Sequence, residues 1–148
     1  MRTTLRNRAA ALLAATTLLS GGALTVGAEV ASADPSVSFR YIWDGKDNEN
    51  LEIDVYNGSS LAGWSQWQSD PVDTFPGDAM FVYDYLADGY GIETHLSNGR
   101  IATTRGHNSP YMSPWATGNL PEGTKLQMWT CLVKGSYEKC SAKKTVTA

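Results

Sequence analysis

Two cysteines on either side of a turn sequence place the strongest restriction on how this chain can fold. Cys131 and Cys140 are its only cysteines, and Gly135-Ser136 lies between them. A two-residue type II′ turn needs Gly at its first position, and such a turn sets Cys131 opposite Cys140 at a non-hydrogen-bonded position, where Cα atoms approach to about 4.5 Å. A disulfide accepts that spacing. The sequence therefore predicts a hairpin over residues 125–134 and 137–146, closed by this disulfide; two free buried thiols are the alternative.

The N-terminal region has the composition of an export signal. Arg2, Arg6 and Arg8 precede an apolar stretch, and the small residues 31–33 provide a cleavage site before Asp34. The apolar stretch is shorter and more interrupted than the run of about 20 apolar residues that spans a membrane, and no later segment approaches that length. We therefore expect a signal peptide over residues 1–33 and a secreted chain over residues 34–148, in a compartment where a disulfide persists.

Alternating apolar and polar residues, separated by turn residues, run through the predicted secreted chain. Its 115 residues suit a single domain, and the pattern predicts an all-β fold, a small antiparallel β-sandwich of about seven strands. Asn98-Gly99 predicts a type I′ hairpin turn, while Pro and Gly mark residues 57–78 and 105–123 as long connections. The predicted strands cover residues 37–43, 51–56, 79–85, 90–96, 100–104, 125–134 and 137–146.

Charge is unevenly distributed along the predicted secreted chain. Residues 34–93 contain twelve acidic residues against Arg40 and Lys46, whereas residues 94–148 contain Glu122 and Glu138 against seven basic residues. The two halves give a polar molecule if they occupy different surfaces, and the asymmetry largely cancels if their strands interleave in the sandwich. The overall acidity argues against a nucleic-acid partner, because neutralising phosphates requires a basic surface.

The sequence lacks the common signatures of catalysis. It has no nucleophile elbow, no zinc-protease helix motif and no glycine-rich phosphate loop. Its two histidines, His95 and His107, are not spaced as metal ligands, and the acidic turn at residues 44–50 lacks the ligand order of a helix–loop–helix calcium site. We therefore expect a protein without enzymatic activity, metal or cofactor.

Aromatic residues in the predicted long connections are the remaining functional signal. Trp64 and Trp67 lie in the first connection, and Tyr111 and Trp115 lie in the second. Large rigid rings are typical of contact surfaces, so these four residues are candidate partner-binding residues. Loops that fold back and close the ends of the sandwich with the same rings are an equally good interpretation.

Three segments carry a resemblance to a known family. Residues 89–95 (GYGIETH), 102–107 (ATTRGH) and 133–140 (VKGSYEKC) are similar to the small B subunits of the umbrella toxin particles of filamentous actinobacteria. In that family a large repeat-bearing toxin subunit carries lectin subunits, and the small subunit joins the two. The resemblance implies an adaptor in an extracellular antibacterial complex involved in interbacterial competition. Its partners would be the repeat-bearing subunit and the lectin.

The expected function is therefore that of a secreted, non-catalytic adaptor without a membrane span. A carbohydrate-binding module is the alternative that the loop aromatics suggest. A secreted protease inhibitor is a further alternative, although the predicted disulfide constrains a tight hairpin and leaves the long connections free.

Overall fold

The chain is described by a computed structural model over residues 34–45 and 49–148, and these residues form β-strands and no helix. The predicted signal peptide, residues 1–33, lies outside the described residues, as do residues 46–48 of the acidic turn. Within the described ranges there is accordingly no helix of the length and apolarity needed to cross a membrane.

Five strands make the first sheet, in the spatial order β1-β2-β3-β4-β7. Each strand pairs with its neighbours in antiparallel fashion, and the first four follow one another as a meander. The strands are β1 (Val37–Asp44), β2 (Asn50–Asn57), β3 (Ser60–Gln68), β4 (Ala79–Asp84) and β7 (Tyr111–Met112).

The remaining five strands make the second sheet, which is also antiparallel. Its order is β10-β8-β5-β6, and β9 also pairs with β8. The pairing of β8 shifts by one residue between its β9 and β10 partners, so the single predicted strand over residues 137–146 is interrupted after Cys140. The strands are β5 (Gly91–Leu96), β6 (Ile101–Thr103), β8 (Lys125–Lys134), β9 (Tyr137–Cys140) and β10 (Lys144–Thr147).

The two sheets pack face to face around one apolar core, which confirms the predicted β-sandwich. Both sheets contribute fully buried side chains because alternate residues of each strand point inward. The largest of them is Trp67 of β3, whose Nε1 donates a hydrogen bond to the carbonyl of Thr147 at 3.1 Å. The other large core residues are Leu51, Ile53, Val55, Met80, Val82, Ile92, Leu96, Met128, Leu132 and Val146.

The predicted disulfide hairpin is confirmed in its register. Lys134 lies opposite Tyr137, and Cys131 lies opposite Cys140 with 4.0 Å between their Cα atoms. Gly135 has a φ of +53°, whereas Ser136 is not among the residues of positive φ, as a type II′ turn requires. The two sulfur atoms are bonded, so the alternative of free thiols is excluded.

The turn at Asn98-Gly99 differs from the prediction. His95 lies opposite Ile101, and the amide of Leu96 donates to the carbonyl of Arg100, which leaves a three-residue connection instead of a two-residue one. Only Gly99 has a positive φ, +89°. A type I turn followed by a left-handed residue is the usual three-residue hairpin loop. Gly99 is therefore the third residue of a three-residue loop, and not the second residue of a two-residue loop as predicted.

The prediction of a long connection over residues 57–78 is wrong, because β3 occupies nine of these residues. The inward positions of β3 include Gly63 and Ser65. The sequence therefore lacks the regular apolar alternation by which a strand is recognised. Gly63 is required by packing: a Cβ there would lie 2.2 Å from the carbonyl oxygen of Tyr83 and 2.6 Å from Ile92. The second predicted connection, residues 105–123, likewise contains a short strand, β7.

The topology decides how the uneven charge is arranged. Strands β1 to β4, from the acidic half of the chain, all lie in the first sheet, whereas β5, β6, β8, β9 and β10 lie in the second. Apart from the two-residue edge strand β7, which comes from the second half of the chain, the two halves therefore occupy different sheets. The first sheet and its connections carry most of the acidic residues, and the second carries most of the basic ones.

Candidate functional site

The outward face of the first sheet carries a continuous group of aromatic rings. Met80 and Val82 of β4 point into the core, so Phe81 and Tyr83 point outward. On β3, Trp64 lies opposite Tyr83 and therefore shares that face. Together with three rings from the adjoining connections they form what we call the outer aromatic cluster, which consists of Trp64, Phe75, Phe81, Tyr83, Tyr85 and Trp115.

Ring contacts join all six members of the outer aromatic cluster. Phe81 is at the centre, 5.0 Å from Trp64 and 4.4 Å from Trp115 between ring centroids. Phe75 extends the cluster beyond Trp115, and Tyr83 and Tyr85 extend it beyond Trp64. Edge-to-face and tilted arrangements of this kind are favourable for aromatic pairs, so the rings support one another in fixed positions.

The rim of the cluster is exposed while its centre is covered. Phe81 is only 3% exposed, but Phe75 is 49% and Tyr85 is 61% exposed. Val72 and Met112, each 50% exposed, add apolar surface next to these rings: Val72 pairs with Phe75, and Met112 lies opposite Tyr83. Exposed apolar side chains therefore occur in groups at both ends of the cluster, and grouped exposed apolar residues mark a binding surface more often than an isolated one does.

Backbone hydrogen bonds hold the two connections that contribute Phe75 and Trp115. Val72 and Phe75 exchange both of their backbone hydrogen bonds, at 2.8 and 3.1 Å, and so close a tight turn. The segment around Trp115 runs along β4, where Met80 and Ala116 also exchange two backbone hydrogen bonds. The exposed rings are therefore presented from a rigid framework, which lowers the entropy lost when a partner binds.

Acidic and amide side chains border the cluster on the β2 side. Asp54 lies opposite Trp64, and its carboxylate accepts hydrogen bonds from Arg40 at 2.5 and 2.9 Å. Glu52 lies opposite Gln66 on the same face. Burial raises the pKa of Glu52, and the charge of Asp54 raises it further. Because Arg40 compensates the charge of Asp54, it is Glu52 that makes this border favour a partner with positive charge or hydrogen-bond donors.

The structure separates the four predicted binding residues. Trp64 and Trp115 belong to the outer aromatic cluster and are half-buried. The placement of Trp64 and Trp67 in a loop is wrong, since both lie in β3, and Trp67 is a fully buried core residue with no surface to offer a partner. Tyr111 lies opposite Asp84 and stacks on His107 at 3.8 Å, outside the cluster.

Four members of the cluster were not predicted from the sequence. Phe81, Tyr83 and Tyr85 occur at every second position of one predicted strand, opposite in phase to the apolar residues Met80 and Val82. That strand is therefore apolar on both faces, a signal that its outward face is covered or binds something. Nothing in the local sequence around Phe75 indicates that its connection returns to β4.

The ionisable residues of the described chain do not assemble a recognisable catalytic group. His95 stacks on Trp129 and lies 3.2 Å from Glu93, which also accepts from Arg105. His95, Cys131 and Glu138 are close enough to hold a metal ion, but the sulfur of Cys131 is bonded to Cys140 and thiolate is the form that binds metals. The outer aromatic cluster is therefore the better candidate site.

Comparison of the chain with known protein families, with curated proteins and with solved structures found no match.

Proposed function

We propose that this protein is a secreted, non-catalytic interaction subunit that binds another protein through the outer aromatic cluster. The observation that carries the proposal is the set of six connected rings on the outward face of a rigid sheet, with Phe75 and Tyr85 about half exposed or more. Rigid aromatic side chains are enriched in the energetically important centres of protein interfaces.

An adaptor role in an extracellular toxin complex is the specific form of this proposal. It is supported by the sequence resemblance to the umbrella toxin small subunits and by the predicted export signal. The disulfide between Cys131 and Cys140 suits an oxidising compartment. The proposed partners are a repeat-bearing toxin subunit and a lectin subunit.

Size-exclusion chromatography of native culture supernatant tests the proposal. The wild-type protein should elute in a complex much larger than the mature chain, and a Phe75→Ser/Tyr85→Ser variant should elute mainly as a monomer. Ile101→Ser is the matched control, because Ile101 is 50% exposed on β6 of the second sheet; this variant should remain in the complex. Circular dichroism should show that all three are folded. Elution of the wild type as a monomer would reject the proposal.

Carbohydrate binding is a second candidate, supported by one arrangement on the same face. Trp64 lies between Tyr83 on one neighbouring strand and Asp54 on the other, with Gln66 and Glu52 next along the same face. A ring flanked by carboxylate and amide groups provides both stacking and hydrogen bonds for a sugar. Binding of the purified protein to polysaccharides or to a glycan array, lost on Trp64→Ala substitution, would favour this function over the adaptor.

A further inference from the structure

A groove of about 660 Å³ lies at one end of the sandwich, apart from the outer aromatic cluster. It is formed by the β4–β5 connection, the β6–β7 connection and the β8–β9 turn. These connections carry Gly89-Tyr90-Gly91, Arg105-Gly106-His107 and Lys134-Gly135. The three segments that resemble the umbrella toxin subunits therefore meet at one place, although they are far apart in sequence. The volume is within the range typical of ligand-binding pockets.

The lining of this groove is basic. It includes Arg105, Lys134 and His107, and no aspartate or glutamate of the described residues lines it, although the whole chain has a formal charge of −3. Carboxylates border it all the same: Glu93 binds Arg105 at 3.0 Å, Asp84 accepts a hydrogen bond from the Ser109 hydroxyl, and Asp88 accepts from the Asn57 side chain and the Tyr90 amide. Glu93 therefore compensates Arg105, and Lys134 is the lining cation that forms no salt bridge within the described residues.

Lys134 is the basic residue with the most freedom to bind a ligand. It takes part in no salt bridge within residues 34–45 and 49–148, and its Nζ lies 4.7 Å from the centre of the Tyr90 ring. Arg105 is more constrained, because its guanidinium donates to Glu93 and to the carbonyl of Gly135. Lys134 thus offers an exposed ammonium group at the groove, beside an aromatic wall.

Glycines leave parts of the groove lining without side chains. Gly106 and Gly135 have φ values of +81° and +53°, and a Cβ added to either would meet nothing within 4 Å. The main chain is therefore accessible at these two positions, so an extended polypeptide can approach closely enough to bind backbone groups. Asn108 supplies a further polar side chain at the lining, whereas the hydroxyls of Thr104 and Ser109 are already bonded to Ile92 and Asp84.

We propose that this groove binds an acidic segment of a partner polypeptide, with a carboxylate of the segment placed between Lys134 and Arg105. A nucleic acid fits poorly, because the groove has few cations and the surrounding protein is acidic. The groove does not depend on the outer aromatic cluster, so it provides a second binding site with the opposite charge preference. If the protein is an adaptor, two such sites allow it to hold two different partners at once.

Nuclear magnetic resonance of the isotope-labelled chain, residues 34–148, tests this site. The probe is a capped seven-residue peptide of alternating glycine and glutamate, compared with the same peptide containing glutamine. The glutamate peptide should shift the amide signals of Gly89, Gly106 and Gly135, and the glutamine peptide should not. Equal shifts with both peptides, or shifts located elsewhere, would overturn the proposal.

Charge variants identify the side chain responsible. Lys134→Glu should weaken binding of the glutamate peptide by about tenfold or more, whereas Lys125→Glu, which makes the same change at an exposed residue outside the lining, should alter it much less. Equal weakening by both variants would indicate a general charge effect and overturn the proposal.

The Phe75→Ser/Tyr85→Ser variant should bind the peptide normally, so failure at either surface can be recognised separately. Tighter binding of trigalacturonate than of the peptide would overturn the polypeptide assignment in favour of an acidic glycan.

Discussion

The hydroxyl groups of Ser65 and Thr130 lie 2.6 Å apart and join the two sheets in the middle of the apolar core. Both residues are fully buried. The Thr130 hydroxyl also lies 3.0 Å from that of Thr94, which donates in turn to the carbonyl of Trp129. A buried hydroxyl without a partner is unfavourable, so this chain of hydrogen bonds fixes how the two sheets align.

Removing the Thr130 hydroxyl, which lies within hydrogen-bond distance of both Ser65 and Thr94, should destabilise the domain. Thr130→Val keeps the shape of the side chain but leaves the Ser65 hydroxyl without its partner, and we expect a loss of about 1–3 kcal/mol in the free energy of unfolding. Ser65→Ala combined with Thr130→Val should lose less than the sum of the two single variants, because the unpaired hydroxyl is removed as well. Urea denaturation of the four proteins measures this, and strict additivity would show that the two hydroxyls are not coupled.

The disulfide should stabilise the domain measurably. Replacing both Cys131 and Cys140 by alanine opens a short loop, and we expect the free energy of unfolding to fall by about 2–3 kcal/mol. Peptide mapping without reduction should recover the two cysteine-containing peptides of the native protein joined to each other. A double variant as stable as the oxidised wild type would show that the hairpin turn alone holds this register.

Trp67 and Trp115 should respond differently to substitution, although both were predicted as binding residues. Trp67→Ala empties a fully buried position and should cost about 3–5 kcal/mol, with Trp67→Phe as a milder variant if the alanine protein does not fold. Trp115→Ala removes a half-buried ring and should destabilise the protein much less while weakening partner binding. Thermal denaturation and affinity measured together distinguish these outcomes, and equal losses of stability would place Trp115 in the core as well.

Asp84 should make the stability depend on pH. Burial raises its pKa, and the hydrogen bond from Ser109 opposes this in part. The folded protein therefore holds the Asp84 proton more tightly than the unfolded chain does, so its stability rises as the pH falls through the raised pKa toward about 3.9. Asp84→Asn removes the buried charge and still accepts from Ser109. The variant should be more stable than the wild type at pH 7, and the difference should narrow toward pH 4 in urea denaturation; a constant difference would contradict this.

Local patterns were sufficient to predict the all-β fold class and the disulfide hairpin, and insufficient for strands whose residues are determined by packing against the rest of the fold. The spacing of Cys131 and Cys140 around Gly135 determined a register that the structure confirms. Strand β3 was missed because Gly63 and Ser65 occupy positions where packing against Ile92 and bonding to Thr130 exclude larger apolar residues.

The candidate sites were predicted less completely for the same reason. Both aromatic residues of β4, Phe81 and Tyr83, can be assigned to its outward face from alternation alone. Phe75 and Trp115 reach that face only because two connections return to β4. The groove near Lys134 is formed by three connections distant in sequence. Residues 89–95, 102–107 and 133–140 were singled out in the sequence and contain its basic residues and glycines. That the three segments lie close together depends on the tertiary fold.

The order of the strands has a consequence for folding kinetics. Strands β1 to β4 pair with their sequence neighbours, so only short loops must close, whereas β8 pairs with β5 across about thirty residues of intervening chain. Closing longer loops costs more entropy before any contact forms. The meander of the first sheet should therefore nucleate folding. Destabilising substitutions in the β2–β3 hairpin should chiefly slow folding, and those in β10 should chiefly accelerate unfolding.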